Sequence, residues 1–202
     1  MNLLKQAQEL VIIQETADLF FNRSINEVTI KDIANKLGVG EATIYRRYNS
    51  KLNLVLLVAK YLQDEVISKY FTFSNEGNGY NKIEKFYKSF LLIFKEHPAY
   101  FKFINEFDAF VLSNNVSGIT SYEEGIDAFK NAFDELYKQG IQDGSVNKVD
   151  NVDTFYFAST HALMEVCKKL ADKDVISQDA KLDKAGEIEV LIETILYRLK
   201  TK

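Results

Sequence analysis

The chain has 202 residues, 47% of them apolar, and a formal net charge of −4, enough for one or two small domains with a sizeable core. One proline and nine glycines favour long helices over a turn-rich β fold. Cys167, the one cysteine, excludes an internal disulfide and reads as a small buried hydrophobe in a reducing compartment. With no basic-plus-apolar leader and no apolar run near ~18 residues, a soluble cytoplasmic protein with no membrane partner is expected.

Residues 3–22 trace a helical stripe through Leu3, Gln6 or Ala7, Leu10, Ile13 or Gln14, Ala17 and Phe20 or Phe21. Arg23 to Glu27 is a polar connector, and Arg23 and Lys5 are expected in solvent. The segment 28–51 reads VTIKDIANKLGVGEATIYRRYNSK. Thr29 is a good N-cap, and Asp32 three residues on can return the bond. Ile30, Ile33, Ala34 and Leu37 then share a helical face, and Gly38 stands where a helix end wants positive φ. Val39 reads as a buried plug in a short turn. Gly40 starts a second helix, from about Glu41 to Tyr48, with Ile44 and Tyr48 inward.

Two short helices joined by a glycine-containing turn form a helix-turn-helix, whose second helix enters the DNA major groove. Arg46 or Arg47 can grip guanine O6 and N7 bidentately, and Thr43 can meet a base or a thymine methyl. Tyr45 and Lys51 suit phosphate contacts that fix register. Residues 1–60 hold eight Lys or Arg against six acids, and the remainder 17 against 23. A mildly basic reading head on an acidic body fits phosphate neutralisation.

Residues 51–74 predict a fourth helix, linking head to body as a lever. Asn75 to Gly79 is a loop. Residues 80–96 form an amphipathic helix through Ile83, Phe86, Tyr87, Phe90 and Phe94, and His97-Pro98 ends it. Pro98 suits the first turn of the next helix, over 99–112, which is dense in aromatics. A polar loop with Gly118 covers 113–121. A helix over 122–139 turns Ile126, Phe129, Phe133, Leu136 and Tyr137 inward, and Gly140 to Val146 is a tight connector. Residues 151–171 and 186–200 are the last helices, separated by a polar, mobile connector at 173–185. The fold class is all-α.

The segment Thr29-Ile-Lys-Asp-Ile-Ala34, Leu37-Gly-Val39, Thr43-Ile-Tyr45 and Tyr48-Asn-Ser-Lys51, followed by Leu54, resembles the tetracycline-repressor (TetR) family of bacterial transcriptional regulators. The resemblance covers roughly the first quarter of the chain. It implies an N-terminal three-helix DNA-binding domain over 1–50 and a helical effector-binding and dimerisation domain over 51–202. DNA contacts are expected from Thr29, Gly40, Glu41, Ala42, Thr43, Tyr45, Arg46, Arg47, Tyr48 and Lys51. Two departures stand out. Glu41 puts an acid at the start of the recognition helix, where it either repels a phosphate or accepts from a cytosine amino group. Arg46-Arg47 replaces the family's more usual aromatic or histidine neighbours, so base preference does not carry over.

Family members hold a small apolar effector in the body. The rings of Phe86, Phe90, Phe94, Phe103, Phe107, Phe110, Phe129, Phe133 and Tyr137, with His161 beside them, either line such a pocket or simply fill a core. In the family the last two helices form the homodimer, here through Phe155, Ala162, Val166, Ile188, Leu191, Ile192 and Ile195. The implied partners are a palindromic double-stranded operator, a second copy of the chain and an apolar or aromatic effector. An effector that favours a different spacing of the two heads would lower DNA affinity.

Two other classes compete. An enzyme would need a positioned base, nucleophile or metal set. His97 and His161 have no ligand-spaced neighbours and no glycine-rich phosphate loop exists, so no catalytic residue, metal or cofactor is expected. A helical dimeric adaptor without specific DNA readout is the alternative, and Arg46, Arg47 and Lys51 argue against it.

Overall fold

A computed structural model describes residues 3–73, 76–116, 119–172, 181 and 183–201. Among these lie nine helices: α1 (Leu3–Asn22), α2 (Ile30–Leu37), α3 (Glu41–Tyr48), α4 (Lys51–Tyr70), α5 (Gly79–Glu96), α6 (Pro98–Ser113), α7 (Thr120–Gln142), α8 (Val152–Ala171) and α9 (Lys184–Leu199). The described residues contain no strand, only an isolated bridge between Val146 and Lys200. The expected loop position Asn75, Gly118, and most of the connector, at 173–180 and 182, lie outside the described residues.

Packing divides the chain into two units, Met1–Glu65 with Phe103–Gly125, and Val66–Lys102 with Ile126–Lys202. This division differs from the functional boundary expected after residue 50, because the first unit also takes in most of α4 and part of α6.

The first unit's core is built from Ala17 and Phe20 of α1, Ile33 and Ala34 of α2, Ile44 of α3, and Leu54, Val58 and Ala59 of α4, all buried. Ile25 and Val28, from the α1–α2 connector, are buried with them. Each of the larger side chains among them, isoleucine, leucine, valine or phenylalanine, contributes about 1.5–3 kcal/mol of burial. Aromatic rings of α6 seal this core. Phe103 stacks on Phe20 at 6.2 Å and meets Phe21 edge-on at 6.3 Å, with Phe107 6.0 Å beyond. The backbone N–H of Ile25 donates to the Glu106 carboxylate at 2.7 Å, so α6 also holds the polar backbone of the connector. The inward stripe expected of α1 holds for Ile13, Ala17 and Phe20, but Leu10 is exposed. Val39 is also exposed, at 40%, rather than plugging the turn.

The second unit centres on α5, α8 and α9. Ile83, Phe86 and Tyr87 of α5 are fully buried with Leu163 and Cys167 of α8 and Ile188 and Leu199 of α9. Two glycines permit one crossing in this unit. A Cβ on Gly79 would lie 2.1 Å from the Gly140 backbone nitrogen, and one on Gly140 would lie 2.2 Å from a Val146 methyl. Asp143 accepts from the Gly79 N–H at 2.8 Å, capping the start of α5. Asn147 N–H donates to the Leu199 carbonyl at 2.8 Å and zips the end of α9 to the same connector.

Three expectations are corrected. α4 ends at Tyr70 rather than 74, because the Phe71 ring turns inward against Phe129 (4.6 Å) and Phe86 (5.3 Å). α7 runs past Gly140 to Gln142, since the glycine is needed for close approach inside the helix and not to break it. Ile126 of α7 is 43% exposed and not inward.

Candidate nucleic-acid interface

The head is built from local rules that the sequence carries openly. Thr29 caps α2 from extended backbone, its hydroxyl oxygen accepting from the Asp32 N–H at 3.1 Å. The Asp32 carboxylate accepts in return from the Thr29 N–H (2.8 Å) and hydroxyl (2.7 Å). Those bonds, with the neighbouring Arg23 guanidinium at 3.3 Å, push the Asp32 carboxyl down to about 2. Gly38 ends α2 in the left-handed region at φ 66°, where L side chains are strained. Its N–H and that of Val39 satisfy the last carbonyls, at 3.2 Å to Asn35 and 3.0 Å to Ala34. A Lys36–Glu15 ion pair at 3.0 Å ties α2 to α1.

α3 begins after Gly40, which offers no side-chain cap; the Thr43 N–H donates to the Gly40 carbonyl at 2.9 Å, and the N–H groups of Glu41 and Ala42 are left open. It ends at Asn49 in positive φ, with the Asn53 side chain donating to the Tyr48 carbonyl at 2.9 Å. Ile44 and Tyr48 are buried beneath the helix, while Glu41, Ala42, Thr43, Tyr45, Arg46 and Arg47 are exposed. An eight-residue helix thus presents a polar face of small and forked side chains on an apolar base, the arrangement a major-groove reader needs.

The expected contact residues do not all stand free. Both donors of Thr29 are engaged by Asp32, which makes it a helix cap and leaves it none to offer a phosphate. Tyr48 is 4% exposed and belongs to the head's core, and among the described residues its hydroxyl has no partner. Lys51 is half-buried, its ammonium 3.4 Å from the Asn26 carbonyl and 5.8 Å from the Phe110 ring centre, and burial lowers its pKa. Arg47 donates to the Lys5 carbonyl at 3.1 Å. Among the described residues Arg46 makes no hydrogen bond or ion pair. Sequence reasoning did not anticipate Glu106, which grips the head's connector through the Ile25 N–H. A lone carboxylate on a distant helix carries no local signal.

The rings expected to line one pocket fall into two sets. Phe103, Phe107 and Phe110 belong to the first unit, and Phe86, Phe90, Phe94, Phe129, Phe133 and Tyr137 to the second. In the second set Phe86 and Phe133 are fully buried and meet at 5.5 Å, and Tyr137 stacks on Phe133 at 6.2 Å. Phe94 meets Phe101 at 6.4 Å. His161 is exposed and tilts against Phe157 at 5.6 Å. A groove of about 460 Å³ on this unit is lined instead by Tyr70, Phe73, Leu91 and Leu92 with Lys85 and Lys95.

Of the residues expected at a dimer interface, Ile188 and Ile192 are buried within their own unit. Phe155, Val166, Leu191 and Ile195 are half-buried and Ala162 is exposed. Val190 (62%) and Tyr197 (83%) of α9 and Phe157 (42%) of α8 carry the largest exposed apolar areas there. No helix among the described residues is long and apolar enough to cross a membrane, and no group of three metal-ligating side chains occurs among them.

Comparison with known proteins places the head. Residues 12–58 match the family model of bacterial regulatory proteins of the tetR family. No curated protein matches the chain. Solved structures share the fold along nearly its whole length. A TetR transcription regulator from Haloarcula marismortui is 16% identical, covering 96% of this chain and 100% of that one at a TM-score of 0.71. FadR of Bacillus subtilis, solved in complex with stearoyl-CoA, is 15% identical, with 94% and 98% covered and a TM-score of 0.68. The ketosteroid regulator KstR2 of Mycobacterium tuberculosis is 14% identical, with 96% covered on both sides and a TM-score of 0.63.

Proposed function

This chain carries the DNA-binding domain of the tetR family of bacterial regulatory proteins, and from that premise we propose that it is an effector-responsive repressor that binds a palindromic operator as a homodimer. The observation that carries the reading is the surface of α3. It turns Ile44 and Tyr48 into the core and leaves Ala42, Thr43, Tyr45 and Arg46 exposed on a helix bounded by Gly40 and Asn49. The open N–H groups at the start of α3 supply donors for a phosphate, at the positive end of the helix dipole.

Two copies are needed because one eight-residue helix reads only a few base pairs. Two-fold symmetry places two such helices in successive major grooves, about 34 Å or somewhat more apart. The exposed Phe157, Val190 and Tyr197, with Ala162 and the half-buried Phe155, Val166, Leu191 and Ile195, support α8 and α9 as the face that a second copy covers.

The effector is a small molecule with a large apolar or aromatic part, matched to the ring-rich interior of the second unit. FadR of Bacillus subtilis, which shares the fold, was solved with stearoyl-CoA, and this supports an apolar chain as the class to test. Binding would act by linkage: an effector that favours the head spacing unfit for the operator lowers DNA affinity. α4, α6 and α7 each contribute residues to both units, so the chain offers three continuous helices as couplers.

The experiment is a mobility-shift titration of the purified protein on DNA from its own upstream region, with and without stearoyl-CoA. Tight binding of one palindromic fragment, released by the acyl-CoA, is expected. Binding that the acyl-CoA leaves unchanged would refute that effector class. Equal weak binding of all fragments would refute sequence-specific readout.

A further inference from the structure

The two adjacent arginines of α3 are chemically alike, and the sequence offers either as the reader of guanine. Their surroundings differ. Arg47 follows Ile44 by three residues and so leans toward α1. It lines a groove of about 470 Å³ with Ala7, Val11 and Ile12 of α1, Leu37 of α2, Val39 of the turn and Thr43 of α3 itself. Its Nη2 donates to the Lys5 carbonyl at 3.1 Å, and its guanidinium carbon lies 5.8 Å from the centre of the Tyr48 ring. To reach a base, Arg47 would have to give up both contacts. Arg46 follows Ala42 by four residues and Thr43 by three, on the opposite side of α3 from the buried Ile44 and Tyr48. It is exposed, and among the described residues it makes no hydrogen bond or ion pair, so its forked donors are uncommitted. The small side chains of Ala42 and Thr43 leave room beside it for a base edge.

We propose that Arg46 reads a guanine in each half-site through its O6 and N7, and that Arg47 is a positioning residue that braces α3 against the first turn of α1. The assignment rests on the DNA-regulator reading above and divides a role that the sequence left open between two side chains. Arg47 holds α3 at its angle through the Lys5 carbonyl and makes no base contact.

The test is selection of binding sites from random double-stranded DNA by the full-length protein and its variants, followed by titrations on the selected site at several salt concentrations. The unaltered protein selects a site with a conserved guanine in each half. Arg46→Ala loses that guanine preference and binds the original site roughly 5- to 150-fold more weakly, the span of one bidentate base contact. Arg46→Lys does not restore the preference, since an ammonium lacks the planar fork. Arg47→Ala weakens every sequence alike, keeps the base preferences and leaves the salt slope unchanged. A lost phosphate contact would instead reduce that slope by about one. Arg47→Lys, which can still donate to the Lys5 carbonyl, restores affinity to within about threefold. A changed base preference in Arg47→Ala, or an intact guanine preference in Arg46→Ala, overturns the assignment while leaving the DNA-regulator reading in place. Selection of no sequence by the unaltered protein overturns both.

Discussion

Replacing Tyr48 by Phe separates a core residue from a DNA contact in one step. The ring is 4% exposed, and among the described residues its hydroxyl has no partner. Burial is also the main cause that raises its pKa. A buried hydroxyl without a partner costs roughly 1–3 kcal/mol relative to its hydrated state. Removing one oxygen recovers most of that and leaves a gap too small to cost more than a fraction of a kcal/mol. The net expectation is a gain of about 0.5–2 kcal/mol. For a chain of this length each kcal/mol moves Tm by about 2–4 °C, so the midpoint of a thermal melt followed by circular dichroism should rise by about 1–8 °C. Because the side chain lies beneath α3, affinity for the selected DNA site should stay within about twofold. A fall in Tm would mean that the hydroxyl has a partner, and a tenfold loss of DNA binding would place Tyr48 at the DNA face.

Gly79→Ala places a methyl 2.1 Å from the Gly140 nitrogen and strains the Asp143 cap. Overpacking of about 1–3 kcal/mol and a weakened charge-assisted bond should lower Tm by about 5–10 °C in calorimetry. Asp32→Asn tests the capping box. Its folded carboxyl is held at about 2, below its ordinary 3.8, so its stabilisation is full above about pH 4 and fades as pH falls through 2. The Tm gap between the unaltered protein and the variant should therefore be widest near pH 5 and close toward pH 2. A gap independent of pH would refute the charge argument. Glu106→Ala leaves the buried Ile25 N–H without its acceptor and should cost about 1–3 kcal/mol, with faster amide exchange at 23–28. Unchanged exchange there would show that α6 does not hold the connector. Cys167 is fully buried and its thiol is pushed up to about 12, so iodoacetamide should label it only as fast as the protein unfolds.

Much of the head was legible because its rules are local. The Thr29–Asp32 box, the left-handed Gly38 and the i, i+4 pair Ile44 and Tyr48 each follow from neighbours a few residues away, and the structure has all three. Properties set by distant segments were not legible. Val39 sits in a turn with no periodicity to orient it, and it is exposed on the groove beside α1. Gly140 reads as a helix breaker by type, yet it lies inside α7 because Gly79 and Val146 approach it too closely for any side chain. Phe101 and Phe103 sit two residues apart on α6 but belong to different units, a division that the run of rings in the sequence does not signal. The inward positions of α9 were legible as apolar, but Ile188 and Ile192 could not be told from positions facing a partner until their burial within the unit was seen. The inequality of Arg46 and Arg47 depends on the Lys5 carbonyl, 42 residues away in sequence.

Through the exposed face of α3 we propose that this chain binds DNA sequence-specifically. The most direct measurement is the affinity of the full-length protein for a fragment of its own upstream DNA and for a scrambled fragment, at two salt concentrations. Preference for the upstream fragment by roughly 10³-fold or more is expected, with both affinities falling steeply as salt rises. Equal affinity for the two fragments at both concentrations would contradict it, leaving only the attraction of a basic surface for phosphate.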